Sequence, residues 1–269
     1  MLTARQGLRA LPPLPALLTL PVLLALLTLC LALPAASPAQ ASPAQASPAQ
    51  ASPAQASPAE ASPGQASAAR AASRNPVVLV HGYNADPGVW GALRADLRAA
   101  GYTDAELFSF GYDTHRSVNE VLAGRLGAYV DQVRRETGAA EVDVVSHSFG
   151  SLVSRWYVKF GGGAAAVDHW VSLAGPNRGT STAWACALWD QACRDMTPGS
   201  YVVKNLNSGD ETPGAVKYAT FWSHCDEVVN PDDSVPLNGA TNTPVGCLEH
   251  NDLLGDDGTS AGVRAFLGS

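Results

Sequence analysis

From residue 77 onward, short apolar runs alternate with amphipathic stretches, and no other feature restricts the fold as much. "PVVLVHG" is a continuous apolar run closed by glycine, the signature of a strand buried on both faces of a sheet. "GVWGALRADLRAAG" spaces Val89, Leu93 and Leu97 four apart and stops at Gly101, which predicts a helix. "AELFSFGY" reads as a second strand. Over residues 117–136 the positions Val118, Val121, Leu122, Leu126, Tyr129, Val130 and Val133 recur at intervals of three and four. Ser117 with Glu120 forms a capping-box pattern there, and Gly138 is a stop, so the spacing predicts a long helix. Then follow "EVDVVSHS" as a strand, "FGSLVSRWYVKF" as a helix, "VDHWVSLAGP" and "AVKYATFWS" as strands, and "SAGVRAFLG" as a closing helix. Strands separated by helices return in the same direction. The expectation is therefore an α/β fold with a mostly parallel central sheet and helices on both faces.

The first quarter of the 269 residues does not take part in this pattern. Arg5 and Arg9 precede an apolar run over residues 11–33, interrupted by Pro12, Pro13, Pro15 and Pro21 and followed by Ala35, Ala36, Ala39 and Ala41. A basic start, an apolar middle and a small-residue end predict a secretory signal peptide over residues 1–36. A membrane anchor is the rival, because the run approaches the ~20 residues a spanning helix needs. A lipidated Cys30 fits less well, since Leu29 stands where a small residue is wanted. "ASPAQ" then repeats from Ala36, followed by "ASPAE" and "ASPGQ". With a proline in every copy and no large apolar side chain, residues 37–74 cannot bury a core and read as a solvated spacer. The folded domain is assigned to residues 75–269.

Setting aside Arg5, Arg9, Glu60 and Arg70 leaves 14 basic and 23 acidic residues, a formal charge of −9. Such a surface gives no support for binding nucleic acid or anionic membranes. The domain holds Cys186, Cys193, Cys225 and Cys247. Four cysteines in an exported domain predict two disulfides, with three possible pairings. Proximity in the chain favours Cys186 with Cys193 and Cys225 with Cys247. A zinc site is the alternative, but the sequence contains no "C-x-x-C" spacing.

"VVSHSFGS" places Ser148 where a predicted strand gives way to a predicted helix. An α/β-hydrolase holds its nucleophile at such a junction, on a sharp elbow flanked by small residues two places away. Gly150 meets this requirement on one side, and Ser146 is small enough on the other. The competing role for Ser148 is an ordinary helix N-cap. A partner base must come later in the chain. His169 lies within a strand beside Trp170, and His224 is too close to the preferred acid. His250, in "CLEHNDLLG", sits in a loop before the closing helix and is the expected base, because neutral imidazole can take the serine proton near neutral pH. Asp226, directly after "AVKYATFWS", is the expected acid that would hold the imidazole tautomer. Glu227, Asp232 and Asp233 compete for that role or are solvated loop charges. A Cys225–Cys247 disulfide would hold acid and base loops in register. The expected oxyanion donors are the N–H of Phe149, after the serine, and that of Tyr83 in "HGYN", with His81 a structural residue of the turn.

Taken together, "VVLVHGY", "VDVVSHSFG", "WSHCDEVVNPDDSV" and "CLEHNDLL", in this order, resemble the small secreted bacterial lipases, the class 2 lipase group of minimal α/β-hydrolases. The resemblance implies Ser148 as nucleophile, Asp226 as acid, His250 as base, and Tyr83 with Phe149 as oxyanion donors. The best-known members of that group carry alanine at the position of Ser146 and methionine at that of Phe149. They also lack the stretch "WACALWDQACRDM". Its Trp184, Leu188 and Trp189 could wall an acyl-chain cleft or pack their rings into the core.

The expected activity is hydrolysis of a carboxylic ester, foremost a triacylglycerol, through an acyl-serine intermediate and without a cofactor or metal. "DEVVNPDD" and "GDDG" lack EF-hand spacing for calcium. The expected partners are a lipid or other ester substrate, with transient contact with lipid aggregates. The protein is expected to be a secreted monomer with no nucleic-acid partner, and its domain is too short for a large lid. Two other readings remain at this stage: a depolymerase of extracellular polyester with the same triad, and an exported binding module without activity.

Overall fold

The computed structural model describes residues 74–116 and 118–269. The expected signal peptide and, apart from Arg74, the expected spacer lie outside the described residues, and so does Ser117 with its expected capping box. Among the described residues no helix is long and apolar enough to cross a membrane.

Six strands form one sheet: β1 (Val77–Val80), β2 (Leu107–Phe110), β3 (Val142–His147), β4 (Val167–Leu173), β5 (Lys217–Trp222) and β6 (Thr241–Pro244). Their order is β2-β1-β3-β4-β5-β6, and every neighbouring pair is parallel. Helices α1 (Gly91–Ala99), α2 (Asn119–Thr137), α3 (Phe149–Phe160), α4 (Gln191–Met196) and α5 (Tyr201–Leu206) lie in the connections between strands, and α6 (Asp257–Leu267) follows β6. The chain runs outward from β1 to β2, then returns to the other side of β1 to lay down β3. In open α/β sheets such a reversal leaves a crevice at the carboxyl ends of the two strands. Here those ends lead into His81–Gly82–Tyr83 and into Ser148.

The sheet is covered on both faces because its strands alternate with a period of two between two apolar layers. Val78, Val80, Val142 and Val144 pack with Leu122, Leu126, Val130 and Val133 of α2 and with Leu152 and Val153 of α3. Val77, Leu79, Val145, Val171 and Leu173 pack instead with Trp90, Leu93 and Leu97 at α1 and with Val263 and Leu267 of α6. Each fully buried Val or Leu contributes about 1.5–3 kcal/mol. That is why β1 is legible as an uninterrupted apolar run, while β3 and β4 are mainly apolar runs interrupted by Asp143, Ser146 and His147 and by Asp168, His169 and Ser172.

Two details of the expected helices change. Val118 is the residue before α2, and it and Val121 are exposed. The apolar stripe of α2 therefore begins at Leu122. The segment "PGVW" forms a separate 3₁₀ turn, with Pro87 near its start, before α1 begins. At the far end of α2, Gly138 adopts φ +72°, the left-handed conformation expected of a helix stop.

Candidate active site

Ser148 stands between β3 and α3 with φ 52° and ψ −129°. A non-glycine residue on this side of the map stores about 1–3 kcal/mol of strain, which neighbouring contacts must offset. Its N–H donates to the carbonyl of Leu173 at 3.0 Å. Two glycines permit the close packing around it. A Cβ at Gly150 would lie 2.5 Å from the carbonyl oxygen of Val80, and one at Gly82 would lie 2.8 Å from the Cβ of Ser148. The Ser148 side chain makes no capping hydrogen bond to α3, which removes the N-cap role.

Behind the elbow, Ser146 Oγ donates to the carbonyl of Val171 at 2.8 Å and lies 3.1 Å from Ser151 Oγ, to which Ser172 Oγ donates at 2.9 Å. All three hydroxyls are fully buried. Ser146 is thus small enough for the elbow and also hydrogen-bonded.

His250 Nδ1 lies 2.9 Å from Asp226 Oδ2 and 3.1 Å from Oδ1, with both side chains nearly inaccessible. A carboxylate only accepts, so Nδ1 carries the proton and Nε2 keeps its lone pair. Asp226 Oδ1 also accepts from the N–H groups of Val228 and Val229 at 2.9 and 2.8 Å. Burial pushes this carboxyl up, but the His250 hydrogen bond and charge and the two backbone donors outweigh it, and its pKa falls below the usual value.

The expected competitors are placed elsewhere. Glu227 accepts from the backbone N–H of His250 at 2.9 Å, and so helps orient the base loop without touching the ring. Asp232 pairs with the exposed His224 at 2.5 Å. His81 is buried, donates from Nδ1 to the carbonyl of Gly82 at 3.0 Å and stacks on Tyr112. Burial lowers its pKa, so it serves the turn as a neutral ring.

Both expected disulfides are present. Cys225–Cys247 ties the Asp226 loop to the His250 loop, with Cα atoms 5.0 Å apart. Ser223 Oγ reinforces this tie by accepting from the N–H groups of both Cys225 and Leu248. Sequence reasoning missed His147, the residue before the serine. Its Nε2–H donates to the carbonyl of His250 at 3.2 Å, and the two rings lie 4.7 Å apart. Desolvation, helped by the charge of His250, lowers its pKa to about 3, so it remains neutral. His147 thereby holds the His250 loop against the turn at Ser148. No local pattern announces this role, because the contact spans 103 residues.

Tyr83 and the second disulfide loop form another contact that the sequence concealed. Tyr83 Oη donates to Asp190 Oδ2 at 2.9 Å, and His115 Nδ1 lies 2.6 Å from the same oxygen. Asp190 Oδ1 caps α4 through the N–H of Ala192. Burial raises the Asp190 carboxyl, yet His115, Tyr83 and the backbone donors outweigh burial and lower it. Burial and then Asp190 push the Tyr83 phenol up to about 12, so it donates throughout the neutral range. An N-cap pattern at Asp190 was the available signal. Phe149 is the first residue of α3, so its N–H has no acceptor within the helix and lies beside Ser148. Trp184, Leu188 and Trp189 are 61 %, 89 % and 72 % exposed, which rules out their packing into the core.

Among the described residues, one group could offer metal ligands: Asp143, Asp168 and His169, at the opposite end of the sheet. Asn75 Nδ2 lies 3.4 Å from Asp143 and 3.2 Å from Asp168, and Lys217 Nζ lies 3.2 Å from His169 Nε2. The protein's own donors already serve these groups.

A family model described as Lipase (class 2) matches residues 74–239. Among solved structures, the mature form of a Bacillus licheniformis lipase superposes with a TM-score of 0.62 at 17 % identity, covering 72 % of this chain and 92 % of that one. Aspergillus fumigatus lipase B superposes with a TM-score of 0.58 at 19 % identity, covering 67 % of this chain. This chain spans 49 % of that lipase. At such identities the structural likeness is one of fold, here the α/β-hydrolase fold; the family match is carried by the sequence.

Proposed function

Because this chain belongs to the class 2 lipase family and so to the hydrolases of ester substrates, we propose that it is a serine lipase or esterase acting through Ser148, His250 and Asp226. The observation that carries the reading is the strained Ser148 on the same sheet edge as the buried His250–Asp226 pair, with His147 joining the two loops.

In this mechanism the ester carbonyl enters beside Ser148. His250 Nε2 takes the hydroxyl proton as Oγ attacks the carbonyl carbon. The lowered pKa of Asp226 keeps it ionised, so it stabilises the imidazolium that forms. The negative oxygen of the tetrahedral intermediate accepts from the N–H groups of Phe149 and Tyr83, and the amino end of α3 adds its dipole. His250 returns the proton to the departing alcohol. Water, activated by the same ring, then releases the acid from the acyl-serine.

We further propose a triacylglycerol as the foremost substrate, and export through the signal peptide at residues 1–36. Two disulfides support the latter, because they persist in oxidising compartments.

The test is hydrolysis of p-nitrophenyl esters of increasing acyl length by the oxidised protein, with Ser148→Ala beside it. Activity that rises toward long chains and vanishes in the variant is the result expected of a lipase. A short-chain maximum moves the substrate toward small esters or polyesters. A folded wild type no more active than the variant on every ester would overturn the serine mechanism.

A further inference from the structure

We propose that residues 184–189 form a rigid seat for an uncharged lipid–water interface; the inference rests on the lipase reading and assigns that site its working surface. Trp184, Leu188 and Trp189 lie within six residues of one another and are 61 %, 89 % and 72 % exposed. Three large apolar side chains exposed within one short loop mark an interaction surface better than single scattered ones do. The loop that carries it is not loose. Cys186–Cys193 closes it, Asp190 caps the helix that follows, and Arg194 Nη1 donates to the carbonyl of Ala187 at 3.1 Å. A surface already held in shape has little ordering entropy to lose on docking.

Its position links it to the site. Upstream, Thr180 Oγ1 donates to the carbonyl of Val228 at 2.7 Å and the N–H of Ser181 to that of Asn230 at 2.8 Å, which anchors the loop to the acid segment. Downstream, Asp190 holds Tyr83 at 2.9 Å. The seat is thus suspended between the segment of Asp226 and the expected oxyanion turn.

Charge and area choose the occupant. Residues 181–189 contain no Asp, Glu, Lys, Arg or His, and the chain beyond Arg70 has 23 acidic against 14 basic residues. An anionic bilayer would repel it, whereas a neutral ester surface would not. Tryptophan suits such a boundary because its ring is apolar and its N–H prefers water. The three side chains offer roughly 500 Å² when aromatic rings bury 150–250 Å² each. That falls short of the about 800 Å² per partner expected of a stable protein contact, which disfavours a second copy.

The decisive experiment is flotation of the full chain carrying Ser148→Ala, which separates binding from hydrolysis. Its target is triolein droplets coated with phosphatidylcholine. The parent is expected to float at low and high salt with a blue shift in indole emission. Adding Trp184→Ala, Leu188→Ala and Trp189→Ala should reduce partitioning at least about tenfold. Trp184→Phe with Trp189→Phe, which keeps the apolar surface, should still float. Equal flotation of parent and triple variant overturns the proposal. So does a preference for phosphatidylglycerol vesicles that salt abolishes, or concentration-dependent dimerisation that the triple variant removes. So does unchanged flotation with an altered chain-length preference for soluble esters in the same triple substitution with Ser148 intact. Flotation without ester hydrolysis by the wild type would instead uphold the seat and overturn the serine mechanism.

Discussion

Among the described residues, two buried Asp–His pairs have the same Nδ1–carboxylate contact and different surroundings. His250 Nδ1 lies 2.9 Å from Asp226 and His169 Nδ1 lies 2.9 Å from Asp143, with all four side chains at 5 % exposure or less. The first pair stands at the carboxyl edge of the sheet, joined through His147 to a serine at positive φ. The second stands at the amino edge, against Asn75, Lys217 and the carbonyl of Ser269. An imidazole held by a carboxylate is therefore no site by itself. What sets the first pair apart is its neighbour, a serine at positive φ followed at once by the amino end of α3.

The largest expected effect separates the serine from everything else. Ser148→Ala should lower kcat by about 10⁶-fold, the order found when a triad nucleophile is removed, while circular dichroism and thermal unfolding change little. Next comes a direct contest between the pairs. Asp226→Asn should cost about 10⁴-fold in kcat by losing the tautomer, whereas Asp143→Asn should leave kcat within a few-fold and lower the urea midpoint. Equal kinetic losses from the two would break the distinction.

A smaller effect tests the packing of the elbow. Gly82→Ala places a methyl group 2.8 Å from the Ser148 Cβ, and should cost up to about a hundredfold in kcat/KM by displacing the reacting group. The disulfides offer a second contrast. Cys225–Cys247 closes a separation of 22 residues and Cys186–Cys193 one of 7. Chain entropy then assigns about 3.4 and about 2.4 kcal/mol to the two. Replacing both cysteines of the first pair by serine should lower kcat as well as the urea midpoint, because acid and base loops lose register. The same replacement in the second should reduce mainly stability.

The finest test lies in pH. The Asp226 pKa is lowered, so its stabilisation is present above the unfolded carboxyl value and is lost as pH falls through the folded one. The His169 pKa is raised, because the hydrogen bond and charge of Asp143 outweigh desolvation. Its stabilisation is present below the unfolded imidazole value and is lost as pH rises through the folded one. Asp143 is itself raised by burial, and so acts in the same direction as its partner. Urea midpoints across pH should therefore show a shallower acid limb in Asp226→Asn and a shallower alkaline limb in His169→Gln.

How much of this was legible in sequence depended on the distance over which each feature is decided. Strand β1 was legible because a strand buried on both faces reads as an apolar run, β3 because Val142, Val144 and Val145 mark it despite the buried Asp143, and α3 because its flanks change period. Edge strand β6, "TNTP", was not. It is largely exposed, and its proline is tolerated only because an edge strand needs fewer donors. The short α4 and α5 were hidden for a similar reason, since six residues hold too few turns to show a period. In the candidate site, the positions of Ser148, Asp226 and His250 followed from chain order at strand ends. Glu227 was named as a rival acid, yet it binds the backbone of His250, a difference that depends on a rotamer.

The sequence by itself determined the alternation that makes a parallel sheet, the glycine on the helix side of the serine, and the cysteines close enough to pair. Each is a local matter of period, steric size or chain length. Only the tertiary structure decided which Asp–His pair shares the carboxyl end of the sheet with Ser148, that His147 braces the His250 loop, that Asp190 holds Tyr83, and that two tryptophans face outward. Those outcomes depend on contacts between segments far apart in the chain, and a distance of 2.9 Å between such segments is fixed by the packing of the whole sheet.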